Sequence, residues 1–139
     1  MIVLDTSGLY AALVETEVHN RRAQAVLEAE PGPFILSPYV LRELDYLLST
    51  RTDVDTELRL LAEVASGAYA LAPFDGPDVA AAHNVIDRYR DLGIGLADAS
   101  LVVLAERYAT ERLLTLDERH FRALRTSTGR RFTLLPADA

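Results

Sequence analysis

The sequence contains no cysteine and no lysine, and its only histidines are His19, His83 and His120. Without cysteine there is no disulfide framework and no thiolate chemistry. Because no two histidines stand at a spacing typical of metal ligands, we do not expect a zinc site. A metal site in this chain should instead use oxygen ligands, which suit Mg²⁺ or Mn²⁺.

Long apolar runs are also missing, since none approaches the roughly 18 residues that span a bilayer. The first residues lack the basic stretch and the small-residue cleavage site of a secretion signal. We therefore expect a cytoplasmic protein with no membrane contact. Half of the 139 residues are hydrophobic, which favours one globular domain over residues 1–139.

The net charge of −7 is unusual for a protein that binds nucleic acid. The charge is unevenly spread, however, because residues 119–131 hold five arginines and no acid, which leaves −12 on the rest of the chain. Every basic residue is arginine, whose guanidinium binds phosphate with two hydrogen bonds. Genomic codon bias is the simpler explanation for the missing lysine, so composition alone does not decide this point.

Short apolar runs alternate with helical patterns along the whole chain. The strand-like runs cover residues 2–5, 34–36, 68–72, 113–116 and 132–135. Such alternation is typical of an α/β fold with a mainly parallel sheet and helices on both faces. Ser37 followed by Pro38 predicts a helix start, and residues 97–105 are apolar on nearly every side, which predicts a central buried helix.

Four acidic residues stand beside these core elements. Asp5 and Asp117 follow strand-like runs, and the carboxyl ends of parallel strands are where ligands collect. Asp98 lies near the start of the buried helix, where the helix dipole favours an anion that stays ionised at neutral pH. Glu43 lies on the helix after Ser37. Because four acids at one edge would repel each other, a divalent cation explains their shared position.

Each acid also has a structural interpretation. Asp5, Asp98 and Asp117 could all be helix N-caps, and Glu43 could be a solvated helix residue. By helical periodicity Glu43 and Asp45 lie at opposite edges of the same apolar stripe, so periodicity alone does not choose between them. Several other enzyme motifs are absent, including a G-x-G-x-x-G loop, a P-loop and a G-x-S-x-G elbow.

Four segments together resemble the PIN domain family, and specifically the VapC-type ribonuclease toxins of prokaryotic toxin–antitoxin pairs. The segments are IVLDTSGL at 2–9, SPYVLREL at 37–44, LADASLV at 96–102 and LTLDERHF at 114–121. The resemblance covers nearly the whole chain and selects Glu43 over Asp45. It implies a PIN-like sheet with strand order 3-2-1-4-5, a homodimer, and a cognate VapB-type antitoxin whose C-terminal segment lies across the active-site groove.

The activity that the resemblance implies is Mg²⁺- or Mn²⁺-dependent hydrolysis of phosphodiester bonds in single-stranded RNA. We expect Asp5 and Asp98 to bind the metal most directly, and Glu43 and Asp117 to complete the site through water or through a second metal. A metal there would activate water and stabilise charge on the phosphate. Two other functions stay open, namely a PIN module that binds RNA or protein without cleaving it, and a DNA nuclease.

Polar neighbours of these acids have roles that the sequence leaves open. Thr6, Ser7 and Thr115 are candidates to hold the carboxylates or a metal-bound water, or else are cap and turn hydroxyls. His120 follows Asp117 closely, and we expect it to be an exposed helix residue rather than a general acid.

Spacing makes Arg119, Arg122 and Arg125 candidates for a phosphate path beside the site. A solvated face, or a contact with an antitoxin or a second subunit, would explain the same pattern. The apolar positions of residues 58–64 could likewise pack internally or face a partner.

Overall fold

A computed structural model describes all 139 residues and shows one sheet of five parallel strands in the order β3-β2-β1-β4-β5. This confirms the predicted strand order. In chain order, β1 to β5 are Ile2–Leu4, Phe34–Leu36, Ala70–Leu71, Arg112–Leu114 and Thr133–Leu135. Every strand end lies within two residues of the predicted run, and β3 is the most shortened because it pairs only with β2 through two residues.

Both faces of the sheet are covered by other elements. Side chains of successive strand residues point to opposite faces, yet Ile2, Val3 and Leu4 of the central strand β1 are all fully buried. The predicted helices on both faces are therefore confirmed. Helices α1 to α7 are Thr6–Leu13, Asn20–Ala29, Pro38–Arg51, Val54–Ala65, Gly76–Arg88, Leu96–Arg107 and Glu118–Ala123.

The predicted start of α3 and the predicted buried helix are both present. Ser37 is the N-cap of α3, its Oγ accepts a hydrogen bond of 3.2 Å from the Tyr39 amide, and Pro38 occupies the first helical position. Helix α6 buries six of its twelve residues. Its Ser100 hydroxyl lies 2.7 Å from that of Ser37, so a buried hydrogen bond joins the starts of two helices near the carboxyl end of β2.

A short 3-10 helix, Arg90–Leu92, separates α5, which ends at Arg88, from α6. Gly93 follows with a φ of 67°, in the left-handed region that glycine adopts without steric cost. The chain then reverses into α6, which places Asp98 in the first turn of that helix. No helix is both long and apolar enough to cross a membrane.

Gly8 allows α1 to pack directly against the end of β4. A Cβ atom at this position would lie 2.5 Å from the carbonyl oxygen of Leu114, a distance that backbone atoms cannot accommodate without movement. The Asp5 amide also donates a hydrogen bond of 2.9 Å to the same carbonyl group. The start of α1 and the end of β4 are therefore held together, which brings the residues after both strands to one edge of the sheet.

Candidate active site

Asp5 lies in the most enclosed position of the four predicted acids, with 6% of the residue exposed. Its Oδ2 atom accepts hydrogen bonds of 2.7 Å from both the Ser7 and the Thr115 hydroxyls. Burial raises the pKa of the Asp5 carboxyl above its ordinary value, whereas these two hydroxyls oppose the rise because they favour the charged form. The nearby charge of Asp117 raises this pKa further.

The two hydroxyls that hold Asp5 are themselves fixed by the backbone after β4. The Leu116 amide donates to Ser7 Oγ at 3.0 Å, and the Asp117 amide donates to Thr115 Oγ1 at 2.9 Å. Each hydroxyl can therefore direct its own proton at Asp5 while it accepts an amide proton. This network fixes the position of the Asp5 carboxylate relative to the start of α7.

Glu43 lies at the rim of the same region, on an exposed position of α3. Its Oε1 atom accepts a hydrogen bond of 2.7 Å from the Thr6 hydroxyl. Asp45 lies on the other side, next to Glu57 of α4, and this contact raises the pKa of the Glu57 carboxyl. The position of α4 thus distinguishes two acids that helical periodicity could not separate.

Asp98 is the third residue of α6, and its side chain is 24% exposed. Burial raises the pKa of Asp98 to about 6, with the charge of Asp5 as the next cause and smaller increases from Asp117 and Glu43, while His120 opposes the rise. The carboxyl is therefore still mainly ionised near pH 7, although less completely than an ordinary aspartate. Burial and repulsion between carboxylates raise the pKa of Asp98 by more than the helix dipole lowers it.

Asp117 and His120 form a closely connected pair at the start of α7. Asp117 Oδ1 accepts a hydrogen bond of 3.1 Å from the His120 amide, and Asp117 Oδ2 lies 2.8 Å from His120 Nδ1. The same Nδ1 atom lies 3.8 Å from Asp98 Oδ2, and the His120 side chain is only 23% exposed. The expectation of an exposed histidine is wrong, because α7 turns its first residues back onto the start of α6.

Helix capping accounts for one of the three aspartates. Asp117 caps α7 through its side chain, as described above. Asp5 occupies the N-cap position of α1 but makes no capping hydrogen bond with its side chain, and Asp98 lies inside α6, whose N-cap is Gly95. Capping therefore does not explain why Asp5 and Asp98 are acidic.

One open cleft of about 370 Å³ collects most of these residues. Its lining comprises Asp5, Thr6, Ser7, Asp98 and Asp117 together with Tyr10, Ala11, Glu17, Leu47, Arg51 and Leu116. A cleft of about 480 Å³ between α2 and the C-terminal segment is mainly lined by apolar residues and contains no carboxylate side chain. The acidic cleft is therefore the better candidate for an active site, although it is not the larger one.

None of the three arginines proposed for a phosphate path lines this cleft. Arg122 is paired with Glu118 at 2.7 Å and with Asp138 at 2.6 Å, contacts that raise its pKa. Arg125 donates to the carbonyl groups of Arg122 and Leu124, and Arg119 is exposed with no ion pair. The free basic group in the cleft is Arg51, which the sequence interpretation missed. Eight residues from Glu43 correspond to about 80° around the helix, so the sequence offered no clear signal for it.

Comparison with known proteins identifies a family and a relative. The family described as PIN domain matches residues 2–126. Ribonuclease VapC26 from Mycobacterium tuberculosis (strain ATCC 25618 / H37Rv) is 43% identical over 135 residues, covering 97% of this chain and 100% of that protein.

Solved structures with the same fold are more distant in sequence. The M. tuberculosis VapC20 structure, described as a sarcin-ricin loop cleaving toxin, has a TM-score of 0.79 at 18% identity, covering 86% of this chain and 92% of the other. A toxin–antitoxin complex from Klebsiella pneumoniae has a TM-score of 0.68 at 19% identity, covering 89% and 92%. FitAcB from Neisseria gonorrhoeae has a TM-score of 0.67 at 21% identity, covering 96% and 97%.

Proposed function

The chain belongs to the PIN domain family, and from that premise we propose that it is a VapC-type ribonuclease toxin. Its activity would be metal-dependent endonucleolytic hydrolysis of phosphodiester bonds in single-stranded regions of RNA. The observation that carries this proposal is the meeting of Asp5, Asp98 and Asp117 in one cleft, where their mutual repulsion contributes to the raised pKa of Asp98. The relative named as a ribonuclease, 43% identical over nearly the full chain, supports the choice of substrate class.

The donor groups in the cleft fit Mg²⁺ or Mn²⁺. Carboxylate oxygens are the preferred ligands of these ions, and ligand atoms of Asp98, Asp117 and His120 all lie within 4.8 Å of one another. We propose that Asp98, Asp117 and Asp5 hold the ion, with Glu43 at the rim completing the site. When bound, the ion supplies activation of a water molecule and stabilisation of negative charge on the phosphate.

Hydroxyl side chains next to these acids hold them in position for the reaction. Ser7 and Thr115 both donate hydrogen bonds to Oδ2 of Asp5. The other carboxylate oxygen, Oδ1, accepts no hydrogen bond from a side chain of the protein. Thr6 fixes the Glu43 carboxylate at 2.7 Å. Such hydrogen bonds from surrounding groups restrict the orientation of ligands and raise the affinity of a metal site. The hydroxyl candidates named from the sequence therefore have defined contacts with two of the four acids.

Arg51 supplies the positive charge that an RNA backbone needs near this negative cleft. It lines the cleft together with Asp5 and Asp98 and forms no ion pair with the protein. An unpaired guanidinium can bind a phosphate with two hydrogen bonds. We propose that Arg51 binds a phosphate next to the scissile bond, in the role first assigned to Arg119, Arg122 and Arg125.

A protein partner is supported by an exposed apolar surface on α4. Leu60 packs inward, whereas Val54, Leu58 and Leu61 are exposed by 60%, 56% and 37% at positions i, i+4 and i+7. Tyr46 of the neighbouring helix α3 is also exposed. We propose that the chain binds an antitoxin of the VapB type and forms a homodimer, since apolar surface of this kind is typical of interaction sites. We propose the cytoplasm as the compartment in which it acts.

Titration of metal in the presence of labelled RNA tests the proposed activity. The chain is incubated with single-stranded RNA and with the matching DNA while Mg²⁺ or Mn²⁺ is raised from zero, and both binding and cleavage are measured. We expect RNA cleavage that requires the ion and is absent in EDTA. RNA binding without cleavage at every metal concentration would favour a silent PIN module, and preferential cleavage of the DNA would favour a DNA nuclease.

A further inference from the structure

His120 places a nitrogen atom beside Asp98 and Asp117, two carboxylates that line the cleft. It is the third residue of α7, and Asp117 fixes it twice, through the backbone amide at 3.1 Å and through Nδ1 at 2.8 Å. The imidazole is mostly enclosed, with 23% of the side chain exposed. The Nδ1 contact is not required for α7 to form, because an N-cap needs only the bond to the backbone amide.

The position of His120 Nδ1 fits the coordination geometry of a small divalent ion. At metal–ligand distances of about 2.1 Å, adjacent ligands of an octahedral ion lie about 3 Å apart and opposite ligands about 4.2 Å apart. Nδ1 lies 2.8 Å from Asp117 Oδ2 and 3.8 Å from Asp98 Oδ2. Small movements of these three side chains, with the ring proton carried on Nε2 instead of Nδ1, would therefore place all three atoms around one ion.

The second ring nitrogen of His120 is also consistent with a ligand role. Nε2 makes no hydrogen bond with the protein, since every polar contact of the ring is made by Nδ1. A histidine bound to a metal through one nitrogen carries its proton on the other, where water or a polar group accepts it. The partly exposed ring leaves Nε2 free for that purpose.

We propose that His120 Nδ1 is a direct ligand of the metal in this cleft, and that it shifts the preference of the site from Mg²⁺ toward Mn²⁺. The proposal rests on the metal-dependent function above and deepens it. Mg²⁺ strongly prefers oxygen ligands and gives up its water reluctantly, whereas imidazole suits transition-metal ions. A site with one imidazole and several carboxylates therefore favours Mn²⁺ more than a site made of carboxylates alone.

Calorimetry and pulsed electron paramagnetic resonance of bound Mn²⁺ test this assignment without an activity assay. We expect the wild-type protein to show magnetic coupling between Mn²⁺ and an imidazole nitrogen, and to bind Mn²⁺ at least about tenfold more tightly than Mg²⁺. His120→Asn keeps a side-chain amide that can donate to Asp117 but removes the imidazole. It should lose the nitrogen coupling and at least about tenfold in Mn²⁺ affinity, with a much smaller change for Mg²⁺.

Two further variants locate the signal. His83→Asn removes a histidine on α5 outside the cleft and should leave the coupling unchanged, while Asp98→Asn should remove Mn²⁺ binding. If the wild-type protein binds Mn²⁺ through Asp98 but shows no nitrogen coupling, or if the coupling survives in His120→Asn, the histidine ligand is refuted and the proposed nuclease stands. If the wild-type protein binds neither ion, the metal-dependent function itself fails.

Discussion

Replacing Asp98 by asparagine should make the metal-free protein more stable at neutral pH. The pKa of Asp98 is raised from 3.8 to about 6, mainly by burial and by the charge of Asp5. The folded protein therefore binds this proton more tightly than the unfolded chain does, and stability falls as the pH rises from about 4 to 6. Above pH 6 the full cost is present, and it is absent below pH 4.

The size of the effect follows from the shift. A rise of roughly two pKa units corresponds to about 3 kcal/mol, and because the side chain is 24% exposed solvent screening reduces this to about 1–2 kcal/mol. For a chain of 139 residues that amounts to an increase in Tm of roughly 4–8 °C. Asp98 makes no hydrogen bond through its side chain that asparagine would lose, since its distance of 3.8 Å from His120 Nδ1 is too long for one.

Differential scanning calorimetry in EDTA between pH 4 and pH 8 measures this effect. The gap in Tm between Asp98→Asn and the wild-type protein should be widest above pH 7 and should close toward pH 4. Asp91→Asn, which removes an exposed charge from the 3-10 helix, is the matched control and should change little. Added Mn²⁺ should raise the Tm of the wild-type protein and not that of Asp98→Asn. A variant that is less stable than the wild-type protein at pH 7.5 in EDTA would refute the repulsion on which the metal site is based.

Two further substitutions test how the site is built and how it binds RNA. Gly8→Ala places a methyl group 2.5 Å from the Leu114 carbonyl oxygen, so urea denaturation should show that the free energy of unfolding falls by about 1–3 kcal/mol. Gly76→Ala is the control, because a methyl group there meets no atom within 4 Å. Equal stability of the two variants would contradict the close packing of α1 on β4. Arg51→Ala should raise the KM for RNA by roughly tenfold, or about 1.4 kcal/mol, with little change in kcat. If Arg119→Ala has that effect and Arg51→Ala does not, the phosphate path lies along α7 as the sequence pattern suggested.

The fold was largely predictable because its signals are local. Ser37 followed by Pro38 marks the start of α3, and the apolar run of residues 97–105 corresponds to a helix that is buried by its neighbours. The strand order came from the resemblance of four segments to the PIN domain family, not from any spacing. The errors are at element ends, as in β3, which begins two residues later than its predicted run.

The candidate site was less predictable because it depends on contacts between distant residues. The separation of Glu43 from Asp45 requires the position of Glu57 on α4. Arg122 is bound by Asp138, sixteen residues further along the chain. No local pattern contains that information.

His120 was misplaced for a related reason. Its distance from Asp98 is set by how α7 folds back onto the first turn of α6, and the sequence of α7 alone does not show this. The separation of three residues between Asp117 and His120 is local, and the capping bond follows from it, but the approach of the ring to a second carboxylate does not.

The most direct test of the nuclease assignment is cleavage of single-stranded RNA by the purified wild-type protein and by Asp98→Asn, each with Mn²⁺ and with EDTA. We predict that only the wild-type protein with Mn²⁺ cuts the RNA, while calorimetry shows that the variant is folded. Equal cleavage by the variant, or cleavage that persists in EDTA, would contradict a metal-dependent site built on Asp5, Asp98 and Asp117.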